Sequence, residues 1–298
     1  MDAIWNWGND LIVLIQTVQN PGLNAIFNAL TFLGEEAFLL LIFPCMLWVI
    51  NKPVGVRLPY LVLTSIALNT WVKFSFNHPR PFEWPSIETS PVLRLNDGAR
   101  GPGLPSGHTQ NSLALWFYLA LQFRRTWLWF AAVILFILIS FSRIYLGVHF
   151  PTDVLGGAIL GLVLLLGFVA LEPRATAVLS AQPLAVQMGL AVIAPLVIIL
   201  IWPISDALAA MAVLPGFGLG VIFEREKIGF ETTGSPGKRL IRLLVGLVLL
   251  VIIYEGLDLI IPAEGHSLYL PLAIIRYSIT GFWVSSGAPW LFKRLNLA

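Results

Sequence analysis

Apolar residues fall in this chain in runs of about twenty, the length that carries a helix across the hydrocarbon core of a bilayer. The runs occupy residues 24–50, 58–76, 106–122, 127–145, 153–171, 186–203, 206–223, 240–261 and 268–290. Each predicts a membrane-spanning helix, so the fold class is an all-α, polytopic transmembrane helical bundle. Nine crossings place the two termini on opposite sides. Residues 1–20 read differently. Trp5, Trp7, Ile12 and Leu14 are mixed with Asn6, Asn9 and Asp10, which predicts an interfacial amphipathic helix rather than a crossing. No internal repeat or low-complexity tract interrupts the pattern.

Composition narrows the class further. Of 298 residues, 57% are hydrophobic and only 11% charged, with a mean hydropathy of +0.83, far above a soluble domain. A net charge of +2 is too small to suggest a nucleic-acid partner. The single cysteine, Cys45, lies in an apolar stretch and rules out an intramolecular disulfide and a cysteine-based metal cluster. The first basic residue is Lys52, so the basic region of a cleaved signal peptide is missing from the N-terminus.

Basic residues concentrate in one set of connections: Lys52 and Arg57, Arg124 and Arg125, Arg174, the 225–239 segment, and Lys293 with Arg294 at the C-terminus. By the positive-inside rule these face the cytoplasm, with the N-terminus outside and the C-terminus inside. The long 77–104 loop and the short 146–152 connection then share the outer face. Proline and glycine make the long loop irregular but ordered.

That face collects the chemistry. Lys73 ends the second span and Arg80-Pro81 follows; Pro105-Ser106-Gly107-His108 opens the third; Ser142-Arg143 ends the fourth, with His149 and Asp153 leading into the fifth. A transferring phosphoryl group spreads charge over three oxygens, which Lys73, Arg80 and Arg143 are placed to clamp. Ser106 and Gly107 sit where a loop enters a helix, whose free N–H groups and positive dipole end bind anions. Asp153, in the first turn of a helix starting at Pro151, reaches back to one ring nitrogen of His149, leaving the other free to attack phosphorus. His108 is then the acid that protonates the departing alkoxide and later the base for water.

Singly these residues have plainer readings, as interfacial anchors or packing histidines. Jointly they form a signature. Lys73, six residues, Arg80-Pro81; PSGH at 105–108; and Ser142-Arg143, five residues, His149, three residues, Asp153 resemble the three motifs of the type 2 phosphatidic acid phosphatase superfamily, in order and complete. The resemblance covers about residues 24–203. It implies a six-helix phosphatase core, metal-independent phosphohydrolysis and an extracytoplasmic site, leaving 204–298 as a C-terminal membrane extension of about three helices. It also implies lipid substrates such as phosphatidic acid, phosphatidylglycerol phosphate, a phosphorylated sphingoid base or a polyprenyl diphosphate.

No cofactor and no metal are expected, since cations already neutralise the phosphate and no carboxylate-rich cluster marks that face. The expected partners are a lipid phosphate substrate and membrane lipids, and the default setting is a bacterial plasma membrane. A phosphotransferase using the same phosphohistidine intermediate is the nearest alternative. A lipid transporter or scramblase and a catalytically silent scaffold are the rivals from other classes.

Other polar residues carry lesser expectations. Glu255 is expected to pair with Arg276 inside the membrane. Glu35 and Glu36 read as structural or cavity-lining, against groups such as Asn69. Arg94 and Arg100 read as solvated loop charges or a grip on a second phosphate. His78 has the option of touching substrate, and His266 belongs to a connecting loop. Residues 224–239 read as a cytoplasmic linker against lipid headgroups.

Overall fold

The computed structural model describes residues 2–86, 88–201, 204–263 and 265–297, with the side chains of Glu36, Leu40, Ser205 and Asp206 outside that set. The helices are α1 (Asp2–Gln16), α2 (Pro21–Phe32), α3 (Glu36–Pro44), α4 (Lys52–Phe76), α5 (Gly107–Phe123), α6 (Thr126–Tyr145) and α7 (Pro151–Ser180). They continue as α8 (Leu184–Ile201), α9 (Ser205–Phe223), α10 (Pro236–Asp258), α11 (Tyr269–Phe282) and α12 (Ala288–Arg294). The apolar runs expected to be spans are mainly helical, but the 24–50 run is broken by a turn at residues 33–35, helix α10 ends at Asp258 inside the 240–261 run, and the end of the 186–203 run lies outside the described residues.

Among the described residues, five helices have on their own the length and apolarity of a crossing, six if the pair Pro21–Phe32 and Ala37–Ile50 counts as one. This is fewer than the nine runs suggested, and the polar content explains the difference. α4 carries Lys52, Arg57 and Lys73, α5 is only 17 residues long, and α11 has 14 before a π-helical turn at Trp283–Gly287. The chain is a multi-pass, all-α membrane protein.

Two compact units divide the chain: Met1–Leu39 with Leu68–Val169, and Leu40–Ala67 with Ala170–Ala298. All the candidate site residues lie in the first. Its cores gather Phe82, Ala99, Tyr145, Leu146 and Val148 in one cluster and Ile12, Val92 and Phe150 in another, so the outer loop is packed rather than loose. Helix α1 pins that loop. Asn9 Nδ2 donates to the Trp84 carbonyl (3.0 Å). Gln16 Nε2 donates to the carbonyls of Leu93 (2.8 Å) and Tyr145 (3.0 Å), and its Oε1 accepts from Leu93 N–H (2.9 Å). The irregular loop has carbonyls that no sheet or helix satisfies, and buried side-chain amides of α1 supply the donors. Ile4, Trp7 and Leu14 are left exposed.

Helices α5 and α7 meet through Gly157 and Gly161, a small-xxx-small spacing that lets backbones touch. A Cβ on Gly157 would lie 2.4 Å from the Ser106 carbonyl oxygen, and one on Gly161 2.8 Å from that of Gln110. Hence the helix carrying Asp153 lies directly against the start of the helix carrying His108.

In the second unit, Trp48, Phe217, Phe230 and Phe292 form the core around Arg242, which is fully buried. Arg242 donates to the carbonyls of Trp48 (2.8 Å) and Thr233 and stacks on Phe230. Glu224 is buried and paired with Lys52 at 2.6 Å. The 224–239 segment is drawn into the protein at Glu224, Ile228 and Phe230 and supplies carbonyls to the buried Arg242, while Arg225, Glu226 and Lys227 stay exposed. Arg276 pairs with Asp258, not with Glu255, and also donates to the Tyr254 carbonyl (3.2 Å). Positions 254 and 258 share one helix face, while 255 is turned about 100° away, so the expected partner points elsewhere.

Candidate active site

The site assembles where helices end. Helix α6 stops at Tyr145, and the chain reverses so that the backbone N–H groups of Val148 and His149 both donate to the Arg143 carbonyl, at 3.2 and 3.3 Å. Gly147 makes the reversal with φ +71°, and a Cβ there would strike the Leu93 carbonyl at 2.2 Å. The five-residue spacing between Arg143 and His149 is thus the length of one tight turn.

Helix α7 begins at Pro151, with Asp153 in its first turn. Asp153 Oδ2 accepts from the Phe150 N–H (3.0 Å) and lies 3.3 Å from His149 Nδ1. His149 and Asp153 are both buried. The Asp153 carbonyl in turn accepts from the Ser106 N–H at 2.9 Å, tying the start of α7 to the start of α5. Ser106 stands at the N-cap of α5, is fully buried, and accepts from Thr109 Oγ1 (3.1 Å). Gly107 is the first helical residue. A Cβ on it would come within 2.9 Å of Asn69 Oδ1.

Arg80 is the hub. Its Nε donates to the Gly101 carbonyl (2.8 Å), Nη2 to that of Arg100 (2.7 Å), and Nη1 to that of Val148 (2.8 Å). The same Nη1 lies 3.3 Å from His149 Nε2. A guanidinium only donates, so the nitrogen facing it must present a lone pair, which leaves the ring proton on Nδ1 toward Asp153. That is the tautomer a nucleophilic Nε2 requires. Glu83 Oε2 accepts from the Arg80 backbone N–H (2.8 Å), bracing the loop beneath it.

Burial holds His149 well below the usual imidazole range, and the charges of Arg80, Lys73, Arg143 and His108 push it the same way. Those groups, distant in sequence, therefore act on one ring. Burial also lowers Arg80 to about 10, opposed by the carboxylates of Asp153 and Glu83. Lys73 occupies the last turn of α4. His108 Nε2 and Arg143 Nε are buried and have no hydrogen-bond partner among the described residues.

Several polar residues have other employment. Arg94 Nη2 donates to the carbonyls of Asp97 (2.8 Å) and Ala99 (2.9 Å) and stacks on Phe82, so it braces the loop instead of offering a second phosphate grip. The Arg100 side chain is exposed, and its carbonyl serves Arg80. His78 packs edge-on against Trp5, with ring centroids 4.5 Å apart. Asn69 donates to Gln110 Oε1 (2.7 Å), and the Glu36 side chain lies outside the described residues. Sequence reasoning missed Thr31, whose hydroxyl accepts from Arg143 Nη1, and Gly34, which abuts the His108 ring.

Helices of membrane-crossing composition, with a buried charged cluster at their ends, define the class as a multi-pass all-α membrane protein. The PAP2 superfamily model matches residues 55–177, and that of the PAP2 superfamily phosphatase, transmembrane extension, matches residues 208–298. Over 160 residues the chain is 31% identical to phosphatidylglycerophosphatase B of Bacillus subtilis (strain 168), covering 49% of this chain and 74% of that protein. It is also 31% identical over 169 residues to a probable sphingosine-1-phosphate phosphatase of Dictyostelium discoideum. That match covers 52% of this chain and spans only 40% of the Dictyostelium protein's length. Among solved structures, it is similar to a transmembrane PAP2-type phosphatidylglycerolphosphate phosphatase from Bacillus subtilis, with 25% identity, a TM-score of 0.49, and coverage of 58% of this chain and 88% of that one. The chain belongs to the PAP2 superfamily.

Proposed function

We propose that the chain is a membrane-embedded phosphatase that hydrolyses a lipid phosphomonoester or diphosphate through a phosphohistidine on His149, without a metal. The observation that carries this reading is His149 itself, with Nδ1 toward Asp153 and an Nε2 lone pair toward Arg80. Nε2 forms the bond to phosphorus as the bond to the leaving oxygen breaks, and protonated His108 delivers its proton to that oxygen. Water then attacks the phosphohistidine, giving a proton back to His108, and inorganic phosphate leaves. Lys73, Arg80, Arg143 and the start of α5 at Ser106 and Gly107 hold the equatorial oxygens, though not through the Ser106 N–H, which is already given to the Asp153 carbonyl. Their positive charge does the neutralising that a divalent ion does elsewhere, so turnover is expected in excess chelator.

In this reading residues 24–203 form the phosphatase core, 204–298 a membrane extension, and 1–20 a helix lying on the bilayer surface. The basic connections support a cytoplasmic C-terminus and an extracytoplasmic site, in a bacterial plasma membrane. An alkyl tail remains in lipid while its headgroup meets the charged cluster. Relatives named for phosphatidylglycerophosphate and sphingosine-1-phosphate support a lipid phosphate as substrate.

The test is phosphate release from a panel of lipid phosphates and diphosphates by purified protein, with His149→Ala as control. Release by the wild type and not by the variant supports the proposal; release of equal size by both overturns it. Product analysis with and without an acceptor lipid separates hydrolysis from phosphotransfer.

A further inference from the structure

The last turn of α2 and the turn that follows it lie outside the three motifs and outside residues 55–177, yet together they touch two of the candidate site groups. Thr31 is fully buried on the last turn of α2 and takes a hydrogen bond from Arg143 Nη1. Gly34 comes three residues later, and its N–H donates to the Thr31 carbonyl at 2.9 Å. A Cβ on Gly34 would lie 3.0 Å from His108 Cδ2 and 3.1 Å from Ile139 Cγ2. One short segment therefore fixes the guanidinium of Arg143 on one side and borders the imidazole of His108 on the other.

Both groups it touches are unfinished. Arg143 Nε and His108 Nε2 are buried without a hydrogen-bond partner among the described residues. A buried cationic donor left unpaired is unfavourable, and such atoms in a native fold call for an explanation. An anion with several acceptor oxygens provides one. By engaging Nη1, Thr31 settles which edge of the planar guanidinium is used by the protein and which remains for a ligand. A hydroxyl suits the task because it is neutral: a carboxylate here would cancel the charge offered to the oxyanion, and an aliphatic side chain would leave a further donor unpaired.

We infer that Thr31 and Gly34 are positioning residues for the oxyanion site, Thr31 by orienting Arg143 and Gly34 by admitting the His108 ring. The inference rests on the proposed phosphatase reading, and the experiment keeps the two apart. Orthovanadate binding is measured by calorimetry on the full-length protein in detergent, for wild type, Thr31→Val, Thr31→Ser and Gly34→Ala, alongside steady-state kinetics on a lipid phosphate. Thr31→Val preserves shape and removes the hydroxyl. It is expected to weaken orthovanadate roughly ten- to a hundredfold, the worth of one hydrogen bond involving a charged group, and to raise KM more than it lowers kcat. Thr31→Ser, which restores the oxygen, is expected to bind within about threefold of wild type. Gly34→Ala displaces His108 instead, so its loss is expected to be larger on substrates with poor leaving groups than on good ones. A general folding defect would depress both alike. Wild-type affinity in Thr31→Val, or no recovery in a folded Thr31→Ser, overturns the inference and leaves the phosphatase reading standing. A wild-type protein that binds no orthovanadate and releases no phosphate removes both.

Discussion

Arg80 Nη1 sits 3.3 Å from His149 Nε2 while the rest of its guanidinium binds the carbonyls of Gly101, Arg100 and Val148. The residue thus does two things at once, holding two stretches of loop together and aiming positive charge at the nitrogen proposed to attack. Lysine retains the charge but cannot reach three carbonyls in one plane. Arg80→Lys is expected to lower kcat/KM by about 10²-fold or more, the usual effect of losing one preorganised donor, and to lower the melting temperature as well. Wild-type turnover in Arg80→Lys would show that charge alone suffices.

Asp153 separates stability from turnover. Its Oδ2 serves both the Phe150 N–H and His149 Nδ1. An asparagine keeps those acceptor functions through its carbonyl but withdraws the negative charge that stabilises a phosphorylated imidazolium. Asp153→Asn should therefore melt near the wild-type temperature while its turnover falls by roughly 10²- to 10⁴-fold, the range seen when a histidine loses its carboxylate partner. Equal losses in both would mean that Asp153 matters only as a helix cap.

The environment of His149 sets a pH dependence. Burial and the surrounding cations lower its pKa well below the ordinary imidazole value, so in the free protein the ring stays neutral on the acid side of pH 6.5. The acid limb of kcat/KM, which reports free enzyme, is expected below pH 6.5; that of kcat should lie higher, because a bound dianion offsets the cations. Stability follows the same sign. The unfolded chain takes up a proton as pH falls through about 6.5 and the folded chain does not, so this contribution is complete above that value and is lost toward the folded pKa. A pH–rate profile with its kcat/KM limb at or above 6.5 would contradict the burial of this ring.

What the sequence revealed was mainly local. The Arg143–His149 spacing, Asp153 in a first helical turn and Ser106-Gly107 at a helix start each depend on a few adjacent residues, and each is found where the pattern put it. Thr31 meeting Arg143 spans 112 positions, and no periodicity announces such a pair. Arg276 illustrates the same limit. Depth in the membrane suggested Glu255, but helix rotation decided for Asp258. The Gly157–Gly161 pair was visible in principle, since small residues four apart in an apolar run mark close helix contact. The pattern of α1 does not announce that Asn9 and Gln16 turn toward the loop carbonyls of Trp84 and Leu93.

That glycine pair gives a packing test with an internal control. A side chain at 157 drives into the Ser106 carbonyl, whereas a Cβ at Gly167 meets nothing within 4 Å. Gly157→Leu is expected to destabilise the protein by more than about 1–3 kcal/mol, the ordinary cost of overpacking, since backbone cannot move aside as a side chain can. Gly167→Leu should be neutral or slightly stabilising, leucine being the better helix former. Thermal melts of both in one detergent decide the matter, and equal behaviour would argue against the close crossing of α5 and α7.

His108 offers the sharpest test of the proposed chemistry because it is asked to act twice. In the first step it protonates a departing alkoxide, a need that vanishes when the leaving group is already stable as an anion. In the second it takes a proton from water, a need that remains whatever the substrate was. His108→Ala is therefore expected to slow turnover of lipid phosphates by about 10²- to 10⁴-fold. With an aryl phosphate of low leaving-group pKa, the first step should stay fast and the second slow. The alcohol product then appears in a burst equal to the enzyme present, and a phosphorylated protein accumulates, stable to base and labile to acid. Rapid-quench kinetics with radiolabelled substrate would detect both. A uniform loss on alkyl and aryl substrates, with no burst and no labelled protein, would remove His108 from proton transfer and reduce it to a neighbour of the site.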